Sequence, residues 1–291
     1  MKTHTDGIWI SDKKERETVK ELTDYISACG YTPVTPNNDN FGYPTQFSKG
    51  KTTLASRLVD LVEDADLIVT DNHPLVPYKG RVLSVLPEFW HQWRFDPVYV
   101  DRPSSIGYNC FMARERGDRD RVFDILKQRN IIDKGLVSYL AQGYDTVNSH
   151  GTLEQCIIDS NVSLILETYI RDDVVVFSEK IFRALQMPRP WLLYCSPKSI
   201  ELLRTHGFDV LDDIVDNEYD TVKNHWDRLD TIVNQLETFV TRQYTRRDYE
   251  RFEQAATTNK QLLDCFAREW QLILDETKMD IKYPELDWTV T

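Results

Sequence analysis

The chain has 291 residues, 41% of them hydrophobic and 28% charged, which is enough apolar material for a sizeable core and too much for a disordered polyampholyte. Its 11 glycines and 12 prolines exclude collagen-like and low-complexity architectures. Lys and Arg number 35 against 47 Asp and Glu, a net charge of −12, so a surface given over to duplex DNA is excluded and nucleic acid would need a local basic groove.

The five cysteines, Cys29, Cys110, Cys156, Cys195 and Cys265, are odd in number and form no CxxC. That pattern fits reduced thiols in a cytoplasmic protein rather than a disulfide framework or a zinc site. The segment MKTHTDGIWISDKKERETVKE has no apolar signal-peptide region. Apolar stretches elsewhere fall far short of the roughly 20 residues that span a bilayer, so no membrane partner is expected.

Strand and helix signals alternate along the chain. Gly7 to Ser11 reads as a short buried strand. Asp12 follows as an N-cap, before a helix with Val19, Leu22, Tyr25 and Ile26 on one face that stops at Gly30. Thr53 to Ala65 has helical spacing through Leu54, Leu58, Leu61 and Val62, and runs into a strand at Leu67 to Thr70 that ends in Asp71. Val82 to Leu86 and Val98 to Val100 are further strands, and Arg102 to Gly107 has the composition of a linker.

Beyond the linker, Asn109 to Ala113 is a strand, Arg119 to Gln128 a helix, and Leu136 to Leu140 and Val162 to Leu166 are strands. Ser178 caps a helix reaching Gln186, which Pro188-Arg189-Pro190 ends. Trp191 to Tyr194 is a strand, and Pro197 to Thr205 a helix closed at Gly207. From Thr221 the chain turns helical, one helix marked by Trp226, Leu229, Ile232, Val233, Leu236 and Phe239, and a longer one by Tyr249, Phe252, Leu262, Leu263, Phe266 and Leu272. Strands alternating with helices mean βαβ units and parallel sheets. The expected class is α/β with two Rossmann-like domains over 1–105 and 106–220, and C-terminal helices over 221–291.

Several short motifs invite chemistry. Ser48-Lys49-Gly50-Lys51-Thr52 has Thr45 where a P-loop needs a glycine, so it reads as an exposed basic loop. Asp118-Arg119-Asp120 spells a metal-holding carboxylate pair, but it opens a helix, where acidic residues need no other reason. The six histidines form no HxxxH or HxH pair, so no metal is expected.

The most informative stretch is VSLILETYIRDDVVVFSEKIFRA, residues 162–184. An apolar strand delivers Glu167 at its carboxyl end, and Ser178-Glu179-Lys180 then opens a helix. In open α/β sheets ligands bind beyond the carboxyl ends of strands, and helix N-termini hold phosphate. Lys180 adds a point charge for a diphosphate, and the two glutamates can accept from ribose or sugar hydroxyls. Ala113-Arg114-Glu115-Arg116-Gly117 follows another strand, where arginine suits bidentate phosphate contact. Tyr194-Cys195-Ser196-Pro197-Lys198-Ser199 is a third strand end running into a helix, small enough for close approach of a ligand.

LETYIRDDVVVFSEKIFRAL is similar to the donor-site signature of the alpha-1,3-fucosyltransferases, in which a strand-borne glutamate precedes a hydroxyl-Glu-Lys triplet. Residues 108–265 resemble phage-encoded GT-B-like glycosyltransferases of the DNA-hypermodifying type. The resemblance is carried by Asp120-Arg121 through Leu126, by Arg129 to Leu140, and by the run from Ser178 to Asp220. Where related sequences carry a glycine near the Ser-Pro turn, this chain has Tyr194-Cys195.

The resemblance implies a GT-B-like pair of domains with the nucleotide-sugar on the second, UDP-sugar before GDP-sugar, and no cofactor or bound metal. By matching positions, Arg114 holds the diphosphate with Arg116 beside it, and Lys180 pairs the phosphates. Glu179 holds ribose or sugar hydroxyls with Glu167 behind it, Ser178 caps the helix, and Ser196 belongs to the donor pocket.

An inverting transfer also needs a base for the acceptor hydroxyl. Asp71, then Glu88, then His73 are the candidates in the N-terminal half. The expected activity is a metal-independent glycosyltransferase, with 5-hydroxymethylpyrimidine in phage DNA, foremost hydroxymethylcytosine, as acceptor. A groove for that DNA would draw on Lys49, Lys51, Trp90 to Phe95, Arg242, Arg246 and Arg247. The alternatives are a surface polysaccharide or glycan acceptor, and a non-catalytic nucleotide-binding protein of the same fold. Oligomeric state, sugar and anomeric outcome stay open.

Overall fold

The computed structural model describes residues 104–112, 117–167, 170, 172 and 174–276, with side chains as far as residue 263 apart from Glu179, and eight short strands before residue 104. The chain divides into two compact units, residues 1–88 with 265–291, and residues 89–264.

In the first unit, β1 (Thr3–His4) pairs antiparallel with β2 (Trp9–Ile10). A five-stranded sheet holds β3 (Thr32–Pro33), β4 (Gln46–Lys49), β5 (Thr52–Ala55), β6 (Leu67–Thr70) and β8 (Arg81–Ser84) in that order, and β7 is His73–Pro74. The β3–β4 and β4–β5 pairs are antiparallel, whereas β5–β6 and β6–β8 are parallel. The parallel sheet expected for this half is therefore mixed.

The helix expected from Thr53 is replaced at its start by β5, in which Thr52 and Thr53 are β-branched and pair with Lys49 and Ser48. Lys49, in the basic stretch Ser48 to Thr52, pairs with Thr52 in the β4–β5 ladder. The N-terminal helix read to Gly30 and the strand at Val98 to Val100 lie outside the described residues.

The second unit is an α/β layer structure with a mixed five-stranded sheet. Its strands are β9 (Ile106–Met112), β10 (Gly135–Tyr139), β11 (Tyr144–Asp145), β12 (Ser160–Leu166) and β14 (Trp191–Tyr194), in the order β11-β10-β9-β12-β14; β13 is Val174–Val175. The four longer strands are parallel and β11 is an antiparallel edge. Its helices are α1 (Gly117–Gln128), α2 (Leu153–Asp159), α3 (Glu179–Leu185), α4 (Ser199–Thr205), α5 (His225–Val240) and α6 (Arg246–Glu276), the last of which belongs to this unit as far as residue 264. Ile106 and Gly107, read as linker, open β9, and Ser104 fixes that start by donating to the carbonyls of Ile106 and Asp159. The short helix α2 carries no signal in the sequence reading because Leu153 is exposed and its apolar face is only Cys156, Ile157 and Ile158.

All seven residues of β12 are buried, so both of its faces are covered, as in parallel sheets flanked by helices. Several polar groups inside are paired. Asn109 Nδ2 donates to Ser163 Oγ at 2.9 Å across the β9–β12 pair. Asn161 Nδ2 donates to the carbonyls of Phe239, Val240 and Arg242 at 3.1–3.3 Å, collecting the carbonyls that the end of α5 cannot use internally. Arg189, 2% exposed, donates from Nε to Ile158 and Ser160 carbonyls at the end of α2 and lies 5.0 Å from the Tyr249 ring. Asn259 pins α6 by donating to Leu185 and Asp209 carbonyls and accepting from Asp209 N–H at 2.7 Å. Arg251 forks onto Asp209 and Asp213 at 2.8–2.9 Å.

The apolar stripe of α5 is Leu229, Ile232, Val233, Leu236, Phe239 and Val240. Trp226, read as part of it, is 39% exposed, and Arg228 is 1% exposed instead. The two residues flank the stripe on opposite sides, so periodicity alone gives the inner place to the tryptophan.

Replacing Asn161→Ala leaves three buried carbonyls with one fewer donor and is expected to lower unfolding free energy by roughly 1–3 kcal/mol. Urea unfolding checks this, and a change within about 0.5 kcal/mol, the scale of a neutral surface substitution, would remove Asn161 from the structural account.

Candidate functional site

Numbered in chain order, the parallel strands β9, β10, β12 and β14 lie in the spatial order 2-1-3-4. The order reverses between β9 and β12, which makes their carboxyl ends the topological switch point, the place where open α/β sheets bind ligands. Residues 113–116 follow β9 and the segment from Glu167 to Ser178 follows β12. The two stretches singled out in the sequence thus leave adjacent strands at the topological switch point.

Glu167 is 3% exposed, and its Oε1 accepts the Ser178 N–H at 3.0 Å. This bond closes the β12-to-α3 segment onto the strand end. Glu167 N–H donates to Tyr194 carbonyl at 3.0 Å, continuing the β12–β14 ladder by one rung. Ser178 caps α3 as its spacing suggests, its Oγ accepting from Lys180 N–H at 3.3 Å and from Lys180 Nζ at 3.1 Å. Because α3 has only seven residues and its first turn already uses one N–H on Ser178, its dipole adds little. The Lys180 ammonium is then the stronger attraction for an anion. Glu179 opens α3.

At the end of β14 the Ser-Pro turn is closed rather than open to a ligand. Cys195 and Ser196 are each 1% exposed, and Ser199 Oγ donates to Ser196 carbonyl at 2.6 Å. Lys198 precedes α4 in the left-handed region at φ 65°, giving no side-chain cap. The Asp220 carboxylate takes that role, accepting Glu201 N–H at 3.0 Å together with the N–H groups of Ser199 and Ile200. Burial raises the pKa of Asp220 above the usual carboxylate range. Burial, with the nearby Glu167 charge, pushes the Cys195 thiol up to about 12, so it is not a thiolate nucleophile. Cys110 and Cys156 are likewise free and buried, with burial pushing Cys110 up to about 12.

Asp118 and Asp120 lie in the first turn of α1, where Asp120 accepts the Tyr139 hydroxyl at 2.6 Å. No group of three or more His, Cys, Asp or Glu is placed to hold a metal among the described residues. Of the residues considered for a nucleic-acid groove, Arg242 lies 5.2 and 5.5 Å from the Phe239 and Tyr244 rings and Arg246 pairs with Glu250 at 3.0 Å. Among the described residues no helix is long and apolar enough to cross a membrane. A hollow of about 380 Å³ lies at the opposite, amino ends of β9 and β10, lined by Ser105, Gly107, Asp133, Lys134, Val240 and Thr241.

Arg114, Arg116, Asp71 and Glu88 lie outside the described residues, as do Trp90 to Phe95, Lys51 and the side chain of Glu179. His73 is in β7 and Lys49 in β4. Sequence reasoning passed over Arg228 and named Tyr194 only within the strand end Tyr194 to Ser199; the first, Arg228, has Nε and Nη2 buried, and the Tyr194 hydroxyl is buried too. The only signal for the first was an arginine flanking an apolar helix stripe.

Removing the cap with Ser178→Ala is expected to cost about 1 kcal/mol. Urea unfolding measures it, and a loss below about 0.3 kcal/mol, the size of a weak surface contact, would show that the Glu167 bond alone holds the start of α3.

No family model matches the sequence, and neither a curated protein nor a solved structure matches it significantly.

Proposed function

We propose that the chain is a glycosyltransferase that binds a nucleotide-sugar beyond the carboxyl ends of β9 and β12 and moves the sugar to a hydroxyl acceptor. The observation that carries this is the strand order. It makes β9, followed by Arg114 and Arg116, the immediate neighbour of β12, followed by Glu167, Ser178, Glu179 and Lys180. A cluster of cations and hydrogen-bond acceptors at a switch point suits a ligand with both phosphates and sugar hydroxyls.

In the reaction the acceptor oxygen bonds to the anomeric carbon as the bond from that carbon to the diphosphate oxygen breaks. Lys180, Arg114 and Arg116 offset the charge gathering on the departing diphosphate, the task a metal performs in other transferases. Glu179 accepts from ribose or sugar hydroxyls, while Glu167 holds the segment that presents it. A carboxylate, Asp71 before Glu88 in the order the sequence suggests, takes the acceptor proton.

We assign UDP-sugar as the first donor to try and 5-hydroxymethylcytosine in DNA as the acceptor, the latter on the resemblance of residues 108–265 alone. The net charge of −12 makes DNA binding weak and steeply salt-dependent unless basic residues gather in one groove.

Lys180→Ala is expected to weaken nucleotide-sugar binding by roughly 1.5–3 kcal/mol, since one charge-assisted contact is lost. Calorimetry on the folded variant checks it, and unchanged affinity removes Lys180 from the donor site. Transfer is expected to persist in EDTA; complete loss on chelation, restored by magnesium or manganese, would contradict the role given to the cations. Nucleosides from hydroxymethylcytosine DNA incubated with the enzyme and UDP-sugars should gain the mass of the sugar. Transfer to a glycan and to neither hydroxymethylated DNA would keep the transferase and reject the acceptor.

A further inference from the structure

Arg228 on α5 is 1% exposed. Its Nη1 donates to the carbonyls of Val222 and Lys223, while Nε and Nη2 are buried and take no hydrogen bond among the described residues. Tyr194, the last residue of β14, is 0% exposed, and its hydroxyl is also buried without a hydrogen-bond partner there. The two side chains lie within each other's electrostatic reach, with Asp172 and Asp220 around the arginine and Asp118 near the tyrosine.

Such an arrangement is costly. An unbonded buried guanidinium edge is rare, because desolvating it costs several kcal/mol unless a partner restores the lost hydrogen bonds. Among the described residues, Arg119, Arg183 and Arg189 each leave one buried nitrogen without a hydrogen bond, whereas Arg228 leaves two, Nε and Nη2, on the same edge of its guanidinium. The nearest carboxylate does not relieve Arg228, since Asp220 is committed to the first N–H groups of α4. Burial raises the Tyr194 pKa, so the phenol is a proton donor throughout the ordinary pH range. Three donor atoms on two side chains therefore remain for an acceptor-only group.

We propose that Arg228 and Tyr194 form an oxyanion subsite at the carboxyl end of β14 that takes a phosphoryl group. The Nε–Nη2 edge is the guanidinium face that binds two oxygens of one anion side by side. A tetrahedral phosphoryl offers a third oxygen to the tyrosine hydroxyl, which a planar carboxylate does not. The subsite stands on β14, beside β12 in the sheet, so under the nucleotide-sugar reading it receives one phosphoryl of the donor. It rests on that reading only for the identity of the phosphoryl carrier. Both groups are enclosed, so association of the phosphoryl is expected to be slower than diffusion.

The test uses the full chain, with inorganic pyrophosphate and UDP as probes in phosphate-free buffer. Calorimetry and thermal unfolding are run on the wild type, Arg228→Met, Arg228→Lys and Tyr194→Phe. If the arginine is kept for structure, Arg228→Met unfolds more easily. Because Arg228→Met also removes the Nη1 bonds to Val222 and Lys223, its unfolding temperature reports that structural part, and the affinity for pyrophosphate and UDP decides the anion role. Expected are a rise in unfolding temperature of the wild type with pyrophosphate, a loss of pyrophosphate and UDP affinity of about tenfold or more in Arg228→Met, and a smaller loss in Tyr194→Phe. Arg228→Lys is expected to lose most of the affinity despite its charge, since lysine lacks the fork.

Affinity unchanged in both Arg228→Met and Tyr194→Phe overturns the subsite, as does absence of pyrophosphate and UDP binding to the wild type. If Arg228→Met fails to fold, Tyr194→Phe decides, unchanged affinity overturning the proposal. Loss of pyrophosphate binding in these variants without any sugar transfer by the wild type supports the subsite and rejects the transferase. Retained pyrophosphate affinity alongside transfer does the reverse.

Discussion

The parallel pairing of β9 with β12 is the constraint on which the second unit depends. Once Ser163 pairs with Asn109 and their side chains hydrogen-bond in the interior, β10 is left to the outer side of β9 and β14 to the outer side of β12. The connections from the two central strands must then diverge. Their carboxyl ends cannot both be roofed by the same crossover, and in open α/β sheets ligands bind at such a switch point.

Burial on both faces of β12 makes this arrangement demanding in polar groups, and the second unit meets the demand unevenly. Asn161, Asn259 and Arg189 each spend side-chain donors on backbone carbonyls at helix ends or helix-to-strand junctions, sites where carbonyls lack internal partners. Glu167 does the converse for an N–H, fixing Ser178 eleven residues downstream and with it the start of α3. Several buried polar atoms take no hydrogen bond among the described residues, and among them the Nε–Nη2 edge of Arg228 and the hydroxyl of Tyr194 are electrostatic neighbours at the carboxyl end of β14. Departures from polar satisfaction tend to collect where a protein does its work.

Much of the second unit was legible in the sequence because its elements carry unambiguous local signals. Trp191 to Tyr194 is an apolar run between Pro190 and the Ser196-Pro197 turn, and β14 has those bounds. Ser178 spaced before Lys180 and an apolar Ile181, Phe182 and Leu185 face gave the start of α3. What was illegible was either short or set by distant contacts. The seven residues of α2 bury too few side chains to show a period. At β5 the leucines of a helical pattern mislead, because the pairing of Thr52 and Thr53 with β4 decides the conformation. Glu167 and Ser178 were visible as a strand end and a cap, but the bond between them needs the fold. Arg228 shows the same limit: its place between α5 and the end of β14 is a tertiary fact, and a tryptophan two residues away fitted the pattern better.

The central claim is that phosphate chemistry sits beyond the carboxyl ends of β9, β12 and β14. The most direct measurement is a crystal structure of the full chain grown with UDP. The account predicts density for the diphosphate between residues 113–116 and Lys180, with a phosphoryl oxygen within hydrogen-bond distance of Arg228. Diphosphate density in the hollow lined by Ser105, Asp133 and Thr241 at the amino ends of β9 and β10, with the carboxyl ends unliganded, would contradict it.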